Sequence, residues 1–345
     1  MESTSTHKCE VVPVTLMPHP NADSLSIVQV FGYQVCVKTE SWQGITLGAY
    51  IVPDSVVDAK RPEFAFLDDG KGKPIRIRAR RLRGVISYGL LIPAPEGAKE
   101  GDDVAAQLGI ERYEAPIHID RTGYCTTKTD HEPGPDVPFT IPVYDVEAFQ
   151  RYADKVFVPG EMVYVSEKID GANTRFMFDG NKMFIGSRKL WCKAEGDSLW
   201  HKALHKHPEI EGFCRKYPNT VVYGETFGWV QDLRYGMEQG SVDFIAFDIL
   251  SDGKWMDAID FVQTCKTHGL PIAPSLGTQP YDFDKLMAQA EGPSLYPPAN
   301  HYREGIVIRP IAERWDHKCG RVQLKLVSAA YLENEGREKP WPPKK

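Results

Sequence analysis

The chain has 345 residues, 42% of them hydrophobic and 26% charged, with a formal net charge of −6. That length suggests two domains, and the weak acidity excludes a protein that binds nucleic acid through its global field, leaving only local basic patches for that purpose. Seven scattered cysteines without a C-x-x-C pair argue against a zinc ribbon or a disulfide framework. They fit a reducing intracellular compartment, so the expected location is cytoplasmic or nucleoplasmic. Residues 1–8 are polar, with no apolar leader, and no run approaches 18 apolar residues, so neither secretion nor a membrane span is expected.

Residues 9–109 read as short strands separated by turns: Val11 to Leu16, Leu25 to Val37, Gly48 to Pro53, Ile75 to Arg81 and Val85 to Ile92. Such spacing predicts a small β-barrel. Two phrases within it, "HPNADSLSIVQV" (19–30) and "RRLRGVISYGLLIP" (80–93), resemble the OB-fold tRNA-binding domain of some synthetases and their accessory proteins. Period-2 alternation along 75–80 puts Arg76, Arg78 and Arg80 on one face, extended by Arg81 and Arg83. An arginine row of this kind can track a phosphate backbone.

From 111 to 142 the sequence is rich in Thr, Pro, Asp and Gly without a sustained period, and reads as an interdomain linker. The expected division is therefore 1–110, a linker at 111–142, and a second domain at 143–345. His118 and His131 read as loop histidines. A short helix is expected over 146–152.

The second domain is built around "EKIDGAN", 167–173. A β-branched run, Met162 to Val165, leads into it. Thr174 to Phe178 alternates again and ends at the tight-turn signal Asp179-Gly180-Asn181. Lys168 is thus held at a strand end, two residues before Asp170. A lysine is a nucleophile only when neutral, and near pH 7 roughly one in a thousand is, a deficit of about 4 kcal/mol. A nearby divalent cation would lower that pKa, and Asp170 is placed to hold such a cation or its waters.

A helical segment is expected from 198 to 217, restarted at Pro208. Its His201, His205 and His207 lack an acid ligand between them and read as an exposed helix face. Four strands come after it: Val221 to Glu225, Asp243 to Ile249, Arg303 to Arg309 and Val322 to Leu326.

Together these motifs resemble those of the covalent nucleotidyltransferases, the ATP-dependent DNA ligases, RNA ligases and capping guanylyltransferases, over about 146–328. "EKIDGAN" with Arg188 downstream, and "DFIAFDI" (243–249), are most similar to the RNA ligases. A barrel ahead of the transferase domain resembles the Deinococcus-type nick-sealing RNA ligases. Only about twenty residues follow Lys325, where DNA ligases and capping enzymes carry another barrel. The resemblance implies an α+β chain, an OB-fold barrel followed by antiparallel sheets with flanking helices.

It also implies ATP and Mg²⁺ or Mn²⁺ as cofactors and, as partner, RNA in a nicked duplex with an RNA or DNA template strand. Lys168 is then the nucleophile, with Arg188 and Lys325 as its catalytic companions. Glu167, Ile169, Asn173, Arg188, Glu225, Phe247 and Lys325 bind the nucleotide, with Phe247 stacked on adenine. Asp170, Glu225 and Glu304 hold the metal. Arg76, Arg78 and Arg80 contact nucleic acid. The family's last motif often has two lysines as K-x-K, but here it reads Gln323-Leu324-Lys325. Lys325 then stands in either of the two lysine places, and the other phosphate contact is either absent or supplied by Arg309 or Arg321. The alternatives are an OB-fold RNA-binding protein without ligase activity, or a capping-type guanylyltransferase.

Overall fold

The computed structural model describes residues 7–113, 131–334 and 338–341. The chain divides into two compact units, one within residues 5–115 and the other within residues 116–345. His118 lies outside the described residues. No helix among the described residues is long and apolar enough to cross a membrane.

The N-terminal unit is built from short antiparallel strands. Glu10–Pro13 and Leu90–Pro93 flank Leu47–Ile51, and Leu25–Val30 forms a tight pair with Tyr33–Lys38. Val11, Ala49, Ile51, Phe64, Ile77 and Ile92 fill its interior. The expected strand over 75–81 is broken into Ile75–Arg76 and Arg80–Leu82. Ile77 and Ala79 are still buried, so Arg76, Arg78 and Arg80 still alternate away from the core.

Two large sheets dominate the second unit. A seven-stranded sheet contains Gly171–Phe178, Met183–Ser187, Thr220–Gly228 and Val242–Ser251 as neighbours or near neighbours. One face is covered by the helices Leu199–Lys206 and Pro208–Lys216, which bury Trp200, Leu204, Ile210 and Phe213 against Phe176, Val222 and Phe244. The break between them falls where expected, with Ser198 capping the first helix and Pro208 opening the second. His201 is not on an exposed face: it is buried, bonded to Ser198 Oγ and the Lys193 carbonyl.

The five-stranded sheet holds Met162–Lys168 between Gly305–Pro310 and Ser275–Pro280. Gly305–Pro310 is flanked on its other side by Leu324–Val327, which takes Glu147–Ala148 in parallel at its outer edge. Val163, Val165, Ile306, Ile308, Leu324 and Leu326 pack on one face with the helix Phe149–Val156. Alternation sends Tyr164, Ser166, Lys168 and Lys325 to the other face. That face meets the uncovered face of the larger sheet, where Arg309 pairs with Asp248 at 3.0 Å.

Residues 133–146, comprising the end of the expected linker and the start of the second domain, pack onto the second unit. Val137, Phe139, Ile141 and Tyr144 lie against Met177, Tyr223 and Trp255. The expected helix at 146 begins instead at Phe149, because Glu147 and Ala148 are taken up by the sheet.

Candidate active site

Strand register assembles the site. Lys168 is opposite Gly305, and the preceding residue, Glu304, reaches back so that its Oε1 lies 2.5 Å from Lys168 Nζ. Close approach of the strands is obligatory here. A Cβ on Gly305 would lie 2.1 Å from the Leu326 carbonyl and 2.9 Å from Val327 Cα, both backbone atoms. Gly305→Ala is therefore expected to cost about 1–3 kcal/mol and to move Glu304 off Lys168. Urea unfolding checks the first effect and Lys168 reactivity the second; an unchanged midpoint with full reactivity would refute both.

On the facing sheet, Asn173 and Glu225 are direct cross-strand partners and share the face turned toward Lys168. Phe247 owes its aim to an irregularity. Tyr223 pairs with Asp248 and Gly224 with Ala246, leaving Phe247 as the extra residue of a β-bulge. Bulges re-aim side chains in this way. Phe247 is half-buried at the edge of the apolar cluster that contains Ile169, Phe227 and Ile245. Arg188, just past the strand Met183–Ser187, is ion-paired with Asp145. Lys325 lies on the same face as Lys168, two residues after Gln323.

The electrostatics are those of a site short of positive charge. Three carboxylates, Asp170, Glu225 and Glu304, act on one ammonium. Burial works to lower the Lys168 pKa, but Glu304 and then Glu225 overcome it and hold the lysine above its ordinary value. Burial, with repulsion from Glu304, pushes Asp170 up to about 7. Burial pushes Glu225 up to about 8, the attraction of Lys168 being offset by Glu304 and Asp170. A cation near these oxygens would relieve the repulsion, and it would release Lys168 from the charges that keep it protonated.

Orphaned polar atoms gather here as well. Glu304 Oε2, Asn173 Oδ1 and Arg188 Nε are buried without a hydrogen-bond partner. Each such vacancy is costly unless a ligand fills it. They come from three separate chain segments around Lys168, and their donors and acceptors suit a phosphorylated, hydroxyl-bearing ligand with a hard cation.

Several expected residues have other duties. Glu167 points to the opposite face by alternation, and its carboxylate accepts from Ser294 Oγ at 2.6 Å and Leu295 N at 2.5 Å. It anchors the segment leading to Glu304 rather than facing the side of the sheet that carries Lys168. Asp170 accepts from the Asp232 and Leu233 amides and from the Tyr331 hydroxyl. Of about four acceptor positions on a carboxylate, that leaves one, enough to hold a metal-bound water. Among the described residues, no three His, Cys, Asp or Glu side chains are gathered to ligate one ion directly. Arg309 and Arg321 do not replace the lysine absent at 323. Both are bound to Asp248, and Arg321 also to Glu313 at 2.6 Å.

In the N-terminal unit the expected arginine row is split by function. Arg76 donates to Asp54 at 2.9 and 2.6 Å, and its guanidinium lies 3.7 Å from the Tyr113 ring centroid. Arg78 is partly buried, while Arg80 is exposed together with Arg81 and Arg83 on the hairpin Arg80–Ser87. That hairpin is tied down from the other sequence phrase, His19 Nε2 lying 3.1 Å from the Leu82 carbonyl and Asn21 Nδ2 donating to the Arg83 carbonyl at 2.9 Å.

Comparison with known proteins agrees with this organisation. An OB-fold domain model matches residues 10–94. Naegleria gruberi RNA ligase, solved as a lysine-to-alanine mutant with ATP and Mn, shares 23% identity at a TM-score of 0.77, with 95% of this chain and 99% of that one covered. The same ligase with PPi gives 24% identity and a TM-score of 0.76 over 95% and 98% of the two chains. These likenesses show a shared fold. The Autographa californica nuclear polyhedrosis virus protein Early 65 kDa is 24% identical over an alignment of 180 positions that covers 48% of this chain and 30% of that protein. The chain thus spans under a third of the length of that relative. The RNA ligase family model matches residues 161–327. Those residues belong to the RNA ligase family, and the chain joins that ligase domain to an OB-fold domain on its N-terminal side.

Proposed function

We propose that this chain is an ATP-dependent RNA ligase that seals 5′-phosphate/3′-OH breaks, specifically nicks in duplex, through a lysyl-AMP formed on Lys168. The observation carrying this reading is Lys168 Nζ at 2.5 Å from Glu304, within a ring of buried polar atoms that lack partners. The Naegleria ligase structures with ATP and Mn and with PPi support it for a chain of the same fold.

Lys168 Nζ attacks the α-phosphorus of ATP, a phosphoramidate P–N bond forms, and pyrophosphate leaves. AMP passes to the 5′-phosphate of RNA, and a 3′-hydroxyl then displaces it. Such transfers require positioning and charge stabilisation more than acid–base chemistry. Phe247 and Ile169 flank adenine, Asn173 and Arg188 bond ribose or phosphate, and Lys325 contacts the α-phosphate. A bound divalent cation neutralises the phosphate and favours neutral Lys168. Glu225 and Glu304 would hold it, with Asp170 reaching its waters. One or two carboxylates completed by phosphate and water is the mode that suits Mg²⁺ or Mn²⁺.

The test is incubation with α-labelled ATP followed by denaturing electrophoresis. A labelled band is expected with Mg²⁺ or Mn²⁺, lost with EDTA and restored by metal, and weaker with labelled GTP at equal concentration. Full labelling in metal-free buffer would refute the carboxylate roles, and stronger labelling with GTP would refute the donor.

The OB-fold domain carries the polynucleotide grip in this reading, through Arg78, Arg80, Arg81 and Arg83. Removing residues 1–110 is expected to spare adduct formation while severely weakening sealing, even of a pre-adenylylated nick. Each phosphate contact removed should lower the slope of log affinity against log salt by roughly 0.7 to 0.9. A truncated protein that seals as fast as the full chain would rule out this division of labour.

A further inference from the structure

The segment 142–148 lies outside the matched ligase region and reads from sequence as the linker end, the start of the second domain and the start of a helix; it touches three of the site's strands and the turn that carries Arg188. The Pro142 carbonyl accepts from the Tyr223 hydroxyl at 2.9 Å. The Tyr144 hydroxyl lies 2.7 Å from Asp248 Oδ2 and 2.8 Å from the Gln323 side-chain amide. Asp248 Oδ2 and Gln323 Oε1 thus compete for the single hydroxyl proton of Tyr144, and the charged carboxylate is the stronger acceptor of the two. The Tyr144 ring lies 4.6 Å, centroid to centroid, from Phe247 at a tilt of 44°. Asp145 is ion-paired with Arg188, and Ala148 is the parallel partner of Lys325.

We infer that Tyr144 and Asp145 are positioning residues of the nucleotide site, Tyr144 backing the Phe247 ring from behind and Asp145 aiming Arg188. This rests on the ligase reading above. Phe247 is a bulged residue without a ladder partner, so its ring depends on side-chain support for a fixed plane. Tyr144 gives that support, and its hydroxyl is fixed by Asp248, which is 0% exposed. Gln323 belongs to the same arrangement. Where a lysine would reach into the nucleotide site, a neutral amide instead joins the support beneath it. Arg188 has a buried Nε without a partner, and Asp145 holds the other end of the guanidinium so that this N–H is presented to the ligand.

The experiment measures adduct formation by full-length Tyr144→Ala, Tyr144→Phe, Asp145→Asn and Asp145→Glu across ATP concentrations. Binding of 2-aminopurine riboside triphosphate, whose fluorescence is quenched by stacking, is followed in parallel. Tyr144→Ala is expected to raise KM for ATP at least tenfold with kcat within about threefold, and to lose most of the quench. Tyr144→Phe should retain the quench. Asp145→Asn should raise KM, and Asp145→Glu should recover most of the loss by keeping the charge. A purely structural segment would lower the active fraction in a burst measurement and leave KM and the quench unchanged, which would overturn the inference. Equal KM values for Asp145→Asn and Asp145→Glu would overturn the role of Asp145. If the wild-type chain forms no adduct at all, the ligase reading itself falls.

Discussion

Lys168→Ala is expected to abolish the protein–AMP adduct, by at least ~10³-fold in rate, while sealing of a pre-adenylylated nick persists. In the proposed mechanism the lysine nitrogen bonds AMP in the first transfer and is released in the second, so an end that is already adenylylated does not need it. The later steps need the pocket, the cation and the duplex, all of which the substitution leaves in place. The fold should survive, because the Lys168 side chain is 27% exposed and its ammonium bonds to Glu304 at the surface of the site rather than within an apolar core. Removing the ammonium leaves three carboxylates together, which lowers stability somewhat and raises the proton affinity of Asp170 and Glu225 further. Circular dichroism and urea unfolding give the fold, α-labelled ATP the adduct, and a pre-adenylylated nick the later chemistry. A covalent adduct retained by the purified variant would sink the assignment of Lys168.

Much of this site was legible because its signals are local. Alternation in 162–178 places Lys168 and Asn173 at strand positions, and the Asp179-Gly180-Asn181 turn fixes how the second strand returns. Glu225, Phe247 and Glu304 were found from short motifs whose order resembles a known family, and the structure sets Glu225 and Glu304 against Lys168 and Phe247 at the edge of the cluster that contains Ile169. Alternation also carried the sign of Glu167 had it been followed strictly: one residue from Lys168 on a strand is the opposite face.

What could not be read were contacts whose partners are distant in sequence. Arg309 and Arg321 looked available as phosphate ligands until Asp248, 61 and 73 positions away, proved to hold both. Arg76 was likewise claimed by Asp54, 22 positions back. Period-2 patterning tells which face a charge is on and says nothing of what crosses from the facing sheet. The bulge at Phe247 was invisible for a related reason, since it is a mismatch between two strands rather than a property of one. The segment 133–146 lacks any period because it runs along the larger sheet as an irregular strip, its apolar residues set by that surface.

Asp248→Ala should be the most destabilising single substitution in the ligase domain, by about 3–5 kcal/mol. The carboxylate is 0% exposed and is met by Arg309 at 3.0 Å, Arg321 at 2.6 Å and the Tyr144 hydroxyl at 2.7 Å. Glu313 offsets part of the arginine charge, bonding Arg321 at 2.6 Å and Arg309 at 3.4 Å. Without Asp248, two buried guanidinium groups share one carboxylate, and Arg309 Nη2 already lacks a partner. Burial opposes ionisation of Asp248, but Arg321 and then Arg309 outweigh it and hold its pKa below the ordinary value. A carboxyl whose folded pKa is depressed contributes stability above its unfolded pKa of about 3.9, and loses it as pH falls through the lower, folded value. The wild-type domain should therefore lose stability below about pH 4, and Asp248→Ala should show less of that loss. The urea midpoint of the ligase domain, followed from pH 3 to 8 in both proteins, measures this. A neutral-pH cost under about 1 kcal/mol, or an identical pH dependence, would mean that the network is not what holds the two sheets together.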